Sequence, residues 1–166
     1  MIQTSQGDIF QAAQRVQLAI VFGHIGFNQM TWYWRDFVEE NPSLRHISDP
    51  FTTLHGNRVE WSPGRWLWFV PAQENNGMTD LQLTRALDAA FAWASAKRIK
   101  SVATNGIANT DHSGDTAANR RSHEKRAAWL IDFAKAAEQK HAINIELFSL
   151  NDIFVRASNS DRLNEP

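Results

Sequence analysis

The sequence predicts a three-layer α/β/α domain around a mixed, mostly parallel sheet, and three observations lead to this fold class. Beyond residue 78, segments of helical periodicity alternate with short apolar segments, which favours parallel strands joined by helices. Two β-like segments separated by Ser62-Pro63-Gly64 predict a hairpin in the first half. With 166 residues and 43% hydrophobic side chains, the chain can bury a full core as one domain.

Composition and charge narrow the class of protein. Seventeen Lys and Arg against eighteen Asp and Glu give a formal net charge of -1, so no global attraction to nucleic acid or to an anionic membrane is expected. The absence of cysteine excludes disulfides, thiolate metal sites and cysteine nucleophiles. No segment approaches the ~20 apolar residues of a membrane span. We expect a cytoplasmic protein with one domain over residues 1–157 and a polar, flexible tail over 158–166.

The first half of the chain carries signals for strands and one helix. Residues 2–6 and 16–22 are predicted strands, the second apolar throughout as in strands buried on both faces, with a turn at Gly7-Asp8 between them. A helix is predicted from near Asn28 or Thr31 to Asn41-Pro42, because the residue before proline is pushed out of the α region. A polar loop then leads to NRVEW and RWLWFVPA, the two segments of the predicted hairpin.

The second half alternates helices with strands. Thr79 and Gln82 form a capping box in front of an apolar stripe, which predicts a helix from Thr79. The stripe consists of Leu83, Ala86, Leu87, Ala90, Phe91 and Ala94. A strand from Ile99, a helix ending near Lys140 and a strand at AINIELFSL follow, and a short helix is predicted over residues 151–157.

A polar loop after the Ile99 strand is the first candidate site. Residues 105–115 contain two glycines, two asparagines, two aspartates, a histidine, a serine and a threonine. One interpretation is a solvated connection in which Ser113 or Asp115 caps the next helix. The other is an anionic ligand held by backbone N–H groups that glycine lets approach closely. Four basic residues in the first half of the next helix oppose its dipole, and a bound phosphate would relieve this conflict. They are Arg120, Arg121, Lys125 and Arg126.

Several common chemistries are not supported by the motifs. Asp111, His112 and Asp115 are hard metal ligands, but their spacing matches neither HExxH nor an EF-hand, so no metal site is predicted. Ser113 lies in DHSGD rather than in a GxSxG elbow, which disfavours a serine hydrolase. The chain also lacks GxxxxGK[ST] and GxGxxG, so no cofactor is predicted.

The element order and two segments together resemble the macro domain family. The opening IQTSQGDIF contains Gly7-Asp8-Ile9, which is similar to the family's GDI motif, and SVATNGIANTDHSG occupies the place of its glycine-rich loop. The resemblance implies that ADP-ribose or a related nucleotide binds with its adenine amino group on Asp8, its pyrophosphate on the loop, and Phe148 stacked on the adenine. The implied ligand-binding residues are Asp8, Ile9, Gly23, Asn28, Asn105, Gly106, Ile107, Ala108, Asn109, Ser113, Gly114 and Phe148.

The first loop departs from the family pattern. The family has NAAN followed by glycines, whereas this chain has GHIGFNQMTWYW, in which Gly23, Gly26 and Asn28 are the remnants. Family members that hydrolyse ADP-ribosyl bonds draw water-positioning residues from that loop, so hydrolysis of an ADP-ribosyl or phosphate ester bond is left open. His24 is either a general base or a structural residue. The candidate catalytic residues are His24, Asp111 and His112.

The alternative function is a ligand-free macro-like scaffold that binds a protein partner through a tryptophan-rich surface. Five of the seven tryptophans lie in the first half: Trp32, Trp34, Trp61, Trp66 and Trp68. Large aromatic residues either pack in a core or form an exposed patch. Binding of single-stranded nucleic acid through the basic helix is a third reading, which the near-neutral net charge disfavours.

Overall fold

A computed structural model of the protein describes residues 2–24, 30–47, 58–72, 80–105, 117–149 and 152–163. Six strands and five α-helices lie in these ranges. In chain order they are β1 (Gln3–Gln6), α1 (Ile9–Ala13), β2 (Leu18–His24), α2 (Met30–Glu40), a 3-10 helix (Pro42–Leu44), β3 (Arg58–Ser62), β4 (Arg65–Ala72), α3 (Asp80–Ala96), β5 (Ser101–Thr104), α4 (Ala117–His141), β6 (Asn144–Ser149) and α5 (Ile153–Leu163). None of the helices in the described ranges has the length and apolar character needed to cross a membrane.

The six strands form one mixed sheet in the order β1-β6-β5-β2-β4-β3. Neighbouring strands are parallel throughout except β3, which pairs antiparallel with β4 to form the predicted hairpin. The predicted three-layer, mostly parallel α/β fold is therefore confirmed. Because five strands run in the same direction, their carboxyl ends lie along one edge of the sheet, which we call the carboxyl edge.

Two hydrophobic cores lie on opposite faces of the sheet. Strand β2 supplies both, since Leu18 and Ile20 point into one core and Ala19 and Val21 into the other. The first core contains the buried faces of α3, α4 and α5, and the second contains those of α1 and α2. Burial on both faces explains why β2 is apolar throughout, as the sequence predicts.

Two elements differ from the sequence prediction. Helix α1 follows the predicted turn directly and has five residues, four of them buried, so it is too short to give a helical periodicity in the sequence. Helix α5 continues to Leu163, whereas the sequence predicts a helix that ends at residue 157 and a flexible tail from 158. Arg156 supports this helix, because its guanidinium donates to Asp152 at 2.8 Å and to Glu124 at 2.9 Å.

Candidate functional site

The carboxyl edge brings together segments that are distant in the sequence. The Gly7-Asp8 turn follows β1, and the Gly7 N–H donates to the carbonyl of Ser149, the last residue of β6, at 2.8 Å. Asn105 directly follows β5, the neighbour of β6 in the sheet. Adjacent strands lie ~4.8 Å apart, so β1 and β5, the strands that these segments follow, are about 10 Å apart across β6. The carboxyl edge thus brings the Gly7-Asp8 turn beside the end of β6 and one further strand from the end of β5.

Asp8 holds the amino end of α1 and keeps part of its carboxylate available. The side chain caps the helix, with Oδ1 accepting the N–H of Phe10 at 3.0 Å. The carboxyl group is half-buried, and Phe10 is the one hydrogen-bond donor to it among the residues that the structure describes. A carboxylate accepts about four hydrogen bonds in total, so Asp8 can take a further donor from a ligand.

The surroundings of Asp8 raise the pKa of its carboxyl group above the ordinary value. Burial is the largest cause, and the negative charge of Asp36 adds to it, while the Phe10 hydrogen bond acts in the opposite direction. Partial burial makes a hydrogen bond to this group stronger than the same bond in water. A donor without negative charge, such as an amino group, suits this position. A negatively charged group would face the carboxylates of both Asp8 and Asp36.

Phe148 lies beneath the turn that carries Asp8. Its side chain is 3% exposed, and a Cβ atom at Gly7 would lie 3.6 Å from its Cε1 atom. The guanidinium carbon of Arg15 lies 5.4 Å from the ring centroid. The ring therefore supports the Gly7 backbone, whose φ of +155° favours glycine. Stacking of Phe148 on an adenine stays a prediction.

Asn105 bonds to the neighbouring strand through both halves of its amide. Oδ1 accepts the N–H of Phe22 at 2.7 Å, and Nδ2 donates to the carbonyl of Phe22 at 3.1 Å. The residue was predicted as a ligand contact. The structure places it at the predicted edge, with its side chain turned to β2.

Comparison with solved structures identifies the architecture. The chain is similar to the macrodomain of Thermus aquaticus DarG, with a TM-score of 0.52 and 10% sequence identity over 90% of this chain and 98% of that one. The fold is that of a macrodomain. The macrodomain of Mycobacterium tuberculosis DarG gives a TM-score of 0.53 and 11% identity over 89% of this chain and 97% of that one. No protein-family model and no curated protein matches the sequence.

The macrodomain fold of this chain includes a buried charged residue that the sequence analysis missed. Glu146 lies in β6 two residues before Phe148, on the same face, and is 7% exposed. Its carboxylate accepts the Ser5 hydroxyl at 2.9 Å and lies 3.3 Å from the guanidinium of Arg15. The alternation of side chains in a strand would have placed Glu146 beside Phe148, but the surrounding apolar run concealed this signal. The contacts among Ser5, Glu146 and Arg15 therefore connect β1, β6 and the residues that follow α1.

Of the remaining predicted site residues, three lie within the described ranges and nine lie outside them. The side chain of Ile9 is 1% exposed, so a contact from this residue would come from its main chain. Gly23 and His24 are the last residues of β2 and lie opposite Pro71 and Ala72 of β4. The others lie outside the described residues: Asn28, Gly106, Ile107, Ala108, Asn109, Asp111, His112, Ser113 and Gly114. Within the described ranges, no three His, Asp or Glu side chains are grouped to hold a metal ion.

The tryptophan side chains that the structure describes are all at least partly buried. Trp34 is a core residue whose Nε1 donates to the carbonyl of Ile47 at 3.2 Å. Trp61 packs against Phe37, and Trp129 stacks on Phe133. Trp66 and Trp68 pack around Trp93, and the guanidinium carbon of Arg58 lies 5.1 Å from the ring centroids of Trp68 and Trp93. Leu81 is the one exposed large hydrophobic residue among the described ones. The side chain of Trp32 lies outside them.

Proposed function

We propose that this chain binds ADP-ribose or a related adenine nucleotide at the carboxyl edge of its sheet. The observation that carries the proposal is the position of Asp8 in a macrodomain fold: its carboxyl group is half-buried, it lies two residues after β1, and one described donor bonds to its carboxylate. The macro domain family uses the aspartate of its GDI motif to accept a hydrogen bond from the adenine amino group. In this chain Asp8 has the free acceptor capacity for that bond.

Charge orients the ligand in this proposal. Asp8 and Asp36 place negative charge at the β1 end of the carboxyl edge, which repels phosphate groups and accommodates an uncharged adenine. The diphosphate therefore lies toward the segment that follows β5, a strand about 10 Å from β1 across β6. Glycine and backbone N–H groups of that segment, residues 106–114, are its proposed binding groups.

Hydrolysis of an ADP-ribosyl or phosphate ester bond is a further step of the proposal. The candidate general base is His24 at the end of β2, together with Asp111 and His112 in the loop after β5. His24 is the last residue of β2, and β5, the strand that precedes Asp111 and His112 in the sequence, is its neighbour in the sheet. A turnover assay on ADP-ribose-1''-phosphate and on an ADP-ribosylated protein tests this step once binding has been measured.

Binding is tested by thermal shift with ADP-ribose, NAD, AMP and ADP, followed by calorimetry. A ligand at 100 times its dissociation constant adds about 2.7 kcal/mol to the stability of the folded state, which raises the melting temperature. We expect ADP-ribose to stabilise the protein more than AMP does, because it also fills the diphosphate positions. No stabilisation by any of the four at millimolar concentration would refute the proposal and favour the protein-interaction alternative.

Asp36 supplies a matched control for this experiment. Its exposed carboxylate contributes negative charge near Asp8 without taking the role of acceptor. The Asp36→Asn variant should keep or slightly strengthen ADP-ribose binding, whereas Asp8→Ala should weaken it by about 1 to 3 kcal/mol, the range for a lost buried hydrogen bond. Equal loss in both variants would assign the effect to local charge rather than to the acceptor.

A further inference from the structure

We infer that Asn105 is a positioning residue that holds the ends of β2 and β5 together at the carboxyl edge, rather than a ligand contact. The inference rests on the proposed function for its ligand measurement. Asn105 lies at the carboxyl edge directly after β5, and its side chain bonds to β2. The consequence is that the ends of β2 and β5 are held together beyond their regular pairing.

The register of the strands gives the geometry of this contact. Regular pairing of β2 with β5 runs from Leu18 opposite Val102 to Ile20 opposite Thr104. Phe22 follows Ile20 by two residues, so its main-chain groups point to the same side of β2. The Asn105 amide supplies the acceptor and the donor that a further β5 residue would have supplied. The side chain thus extends the strand pairing by one step after the β5 backbone has left the sheet.

Burial makes this extension necessary. Phe22 is fully buried, and an unpaired main-chain N–H or carbonyl in such a position carries a large desolvation cost. Asn has a donor and an acceptor on one short, planar group, which is why it can serve both groups of Phe22 at once. Gly23 and His24 follow Phe22 in β2, so this one side chain holds the last residues of β2 next to the end of β5.

The opposite end of the same strand pair carries a similar contact, which serves as an internal control. The Gln17 Oε1 atom accepts the N–H of Lys100 at 2.7 Å and that of Ser101 at 3.3 Å. Ser101 Oγ in turn accepts the N–H of Gln17 at 2.9 Å. A side-chain amide therefore links β2 to β5 at each end of the strand pair. The Gln17 contact lies at the end that is far from the proposed ligand.

The experiment compares Asn105→Ala and Asn105→Asp with Gln17→Ala. All three remove hydrogen bonds between β2 and β5, and calorimetry at 15 °C measures ADP-ribose affinity of the folded proteins. We expect Asn105→Ala to bind at least about tenfold more weakly, because a site that is no longer held in place must be ordered on binding. Asn105→Asp should behave similarly, since its carboxylate oxygen would face the Phe22 carbonyl. Gln17→Ala should bind within about twofold of the wild type, and it should lose less stability than Asn105→Ala because water can satisfy the exposed Lys100 N–H that it leaves unpaired.

Amide hydrogen exchange supplies a second measurement that does not depend on a ligand. Exchange at Phe22, Gly23 and His24 should accelerate in Asn105→Ala and stay unchanged in Gln17→Ala, which should instead accelerate exchange at Lys100 and Ser101. Wild-type affinity in the Asn105 variants, or an equal loss in Gln17→Ala, would overturn the inference. If the wild-type protein binds no adenine nucleotide, the proposed function fails, and unchanged exchange at Phe22–His24 in Asn105→Ala would separately refute the positioning role.

Discussion

Replacing Asp8 with Asn should abolish recognition of the adenine amino group while leaving the fold intact. The Asn side chain keeps an oxygen that can accept the Phe10 N–H, and Asn is a favoured helix cap. Its amide nitrogen then occupies the position of the free carboxylate oxygen. A donor would face the adenine amino group, which is itself a donor, and the contact changes from attractive to unfavourable.

The expected loss follows from the half-buried position of Asp8. A hydrogen bond to a charged group contributes about 1.5 to 3 kcal/mol, which corresponds to a roughly 10- to 150-fold increase in the dissociation constant of ADP-ribose. The inosine analogue of ADP-ribose has a carbonyl at the same ring position and accepts from the new amide. The variant should therefore prefer the inosine analogue, the reverse of the wild-type preference.

The stability of the Asp8→Asn variant should depend on pH in a defined direction. Burial raises the pKa of the Asp8 carboxyl group above its value in the unfolded chain, so the folded state holds this proton more tightly. The contribution to stability is then present at low pH and is lost as the pH rises through the raised pKa. The Asn side chain does not titrate, so the Asp8→Asn variant does not lose stability in this way. Urea unfolding should show the variant gaining on the wild type between pH 4 and pH 7.5.

Calorimetry with both ligands tests this reasoning. The Asp36→Asn variant controls for charge, and Asp8→Ala, which also loses the cap, should cost about 1 kcal/mol of stability. If Asp8→Asn binds ADP-ribose as well as the wild type and shows no preference for the inosine analogue, Asp8 does not contact the amino group. A collapse of stability at pH 7.5 would contradict the pKa argument.

Three further substitutions test the structure around the site by urea unfolding. Gly7→Ala should cost about 1 to 2 kcal/mol, because the φ of +155° disfavours a side chain and the new Cβ would press on the Gln11 side chain; an unchanged midpoint would contradict this conformation. Arg15→Ala should cost about 1 kcal/mol, since it leaves buried Glu146 without its cation while Arg15 itself is half-exposed, and high salt should reduce the difference. Thr104→Val should be neutral or stabilise by up to about 1 kcal/mol, because the hydroxyl is 0% exposed with no hydrogen-bond partner in the described part of the chain; a clear loss would indicate a partner for it.

The sequence predicts those features that depend on local patterns. Strand β2 was visible as a continuous apolar run, and the hairpin as two β-like segments around Pro63-Gly64, because both signals lie within a few residues. The bond from Asn105 to Phe22 joins residues 83 apart, and no local pattern encodes it. The sequence therefore located Asn105 at the site but could not indicate that its amide is turned to β2.

The same division applies to the residues around Asp8. The GDI motif drew attention to Asp8, but its raised pKa depends on burial and on Asp36, which the fold brings near. Glu146 was missed because its partners, Ser5 and Arg15, lie more than a hundred residues earlier in the chain. The motif therefore identified Asp8 as a candidate, but the burial and the charged neighbours of Asp8 and Glu146 depend on the tertiary structure.

The pairing of β1 with β6 has a consequence for how the protein folds. Strand β1 is held in the sheet by β6, with Ser5 opposite Phe148, so the Asp8 turn is completed only after residue 148 has been synthesised. Contacts between residues this far apart form slowly, because a long loop must close before any contact is gained. The adenine end of the proposed pocket should therefore be among the last parts of the molecule to form during refolding, and a folding intermediate that contains β2, β4 and β5 would still lack it.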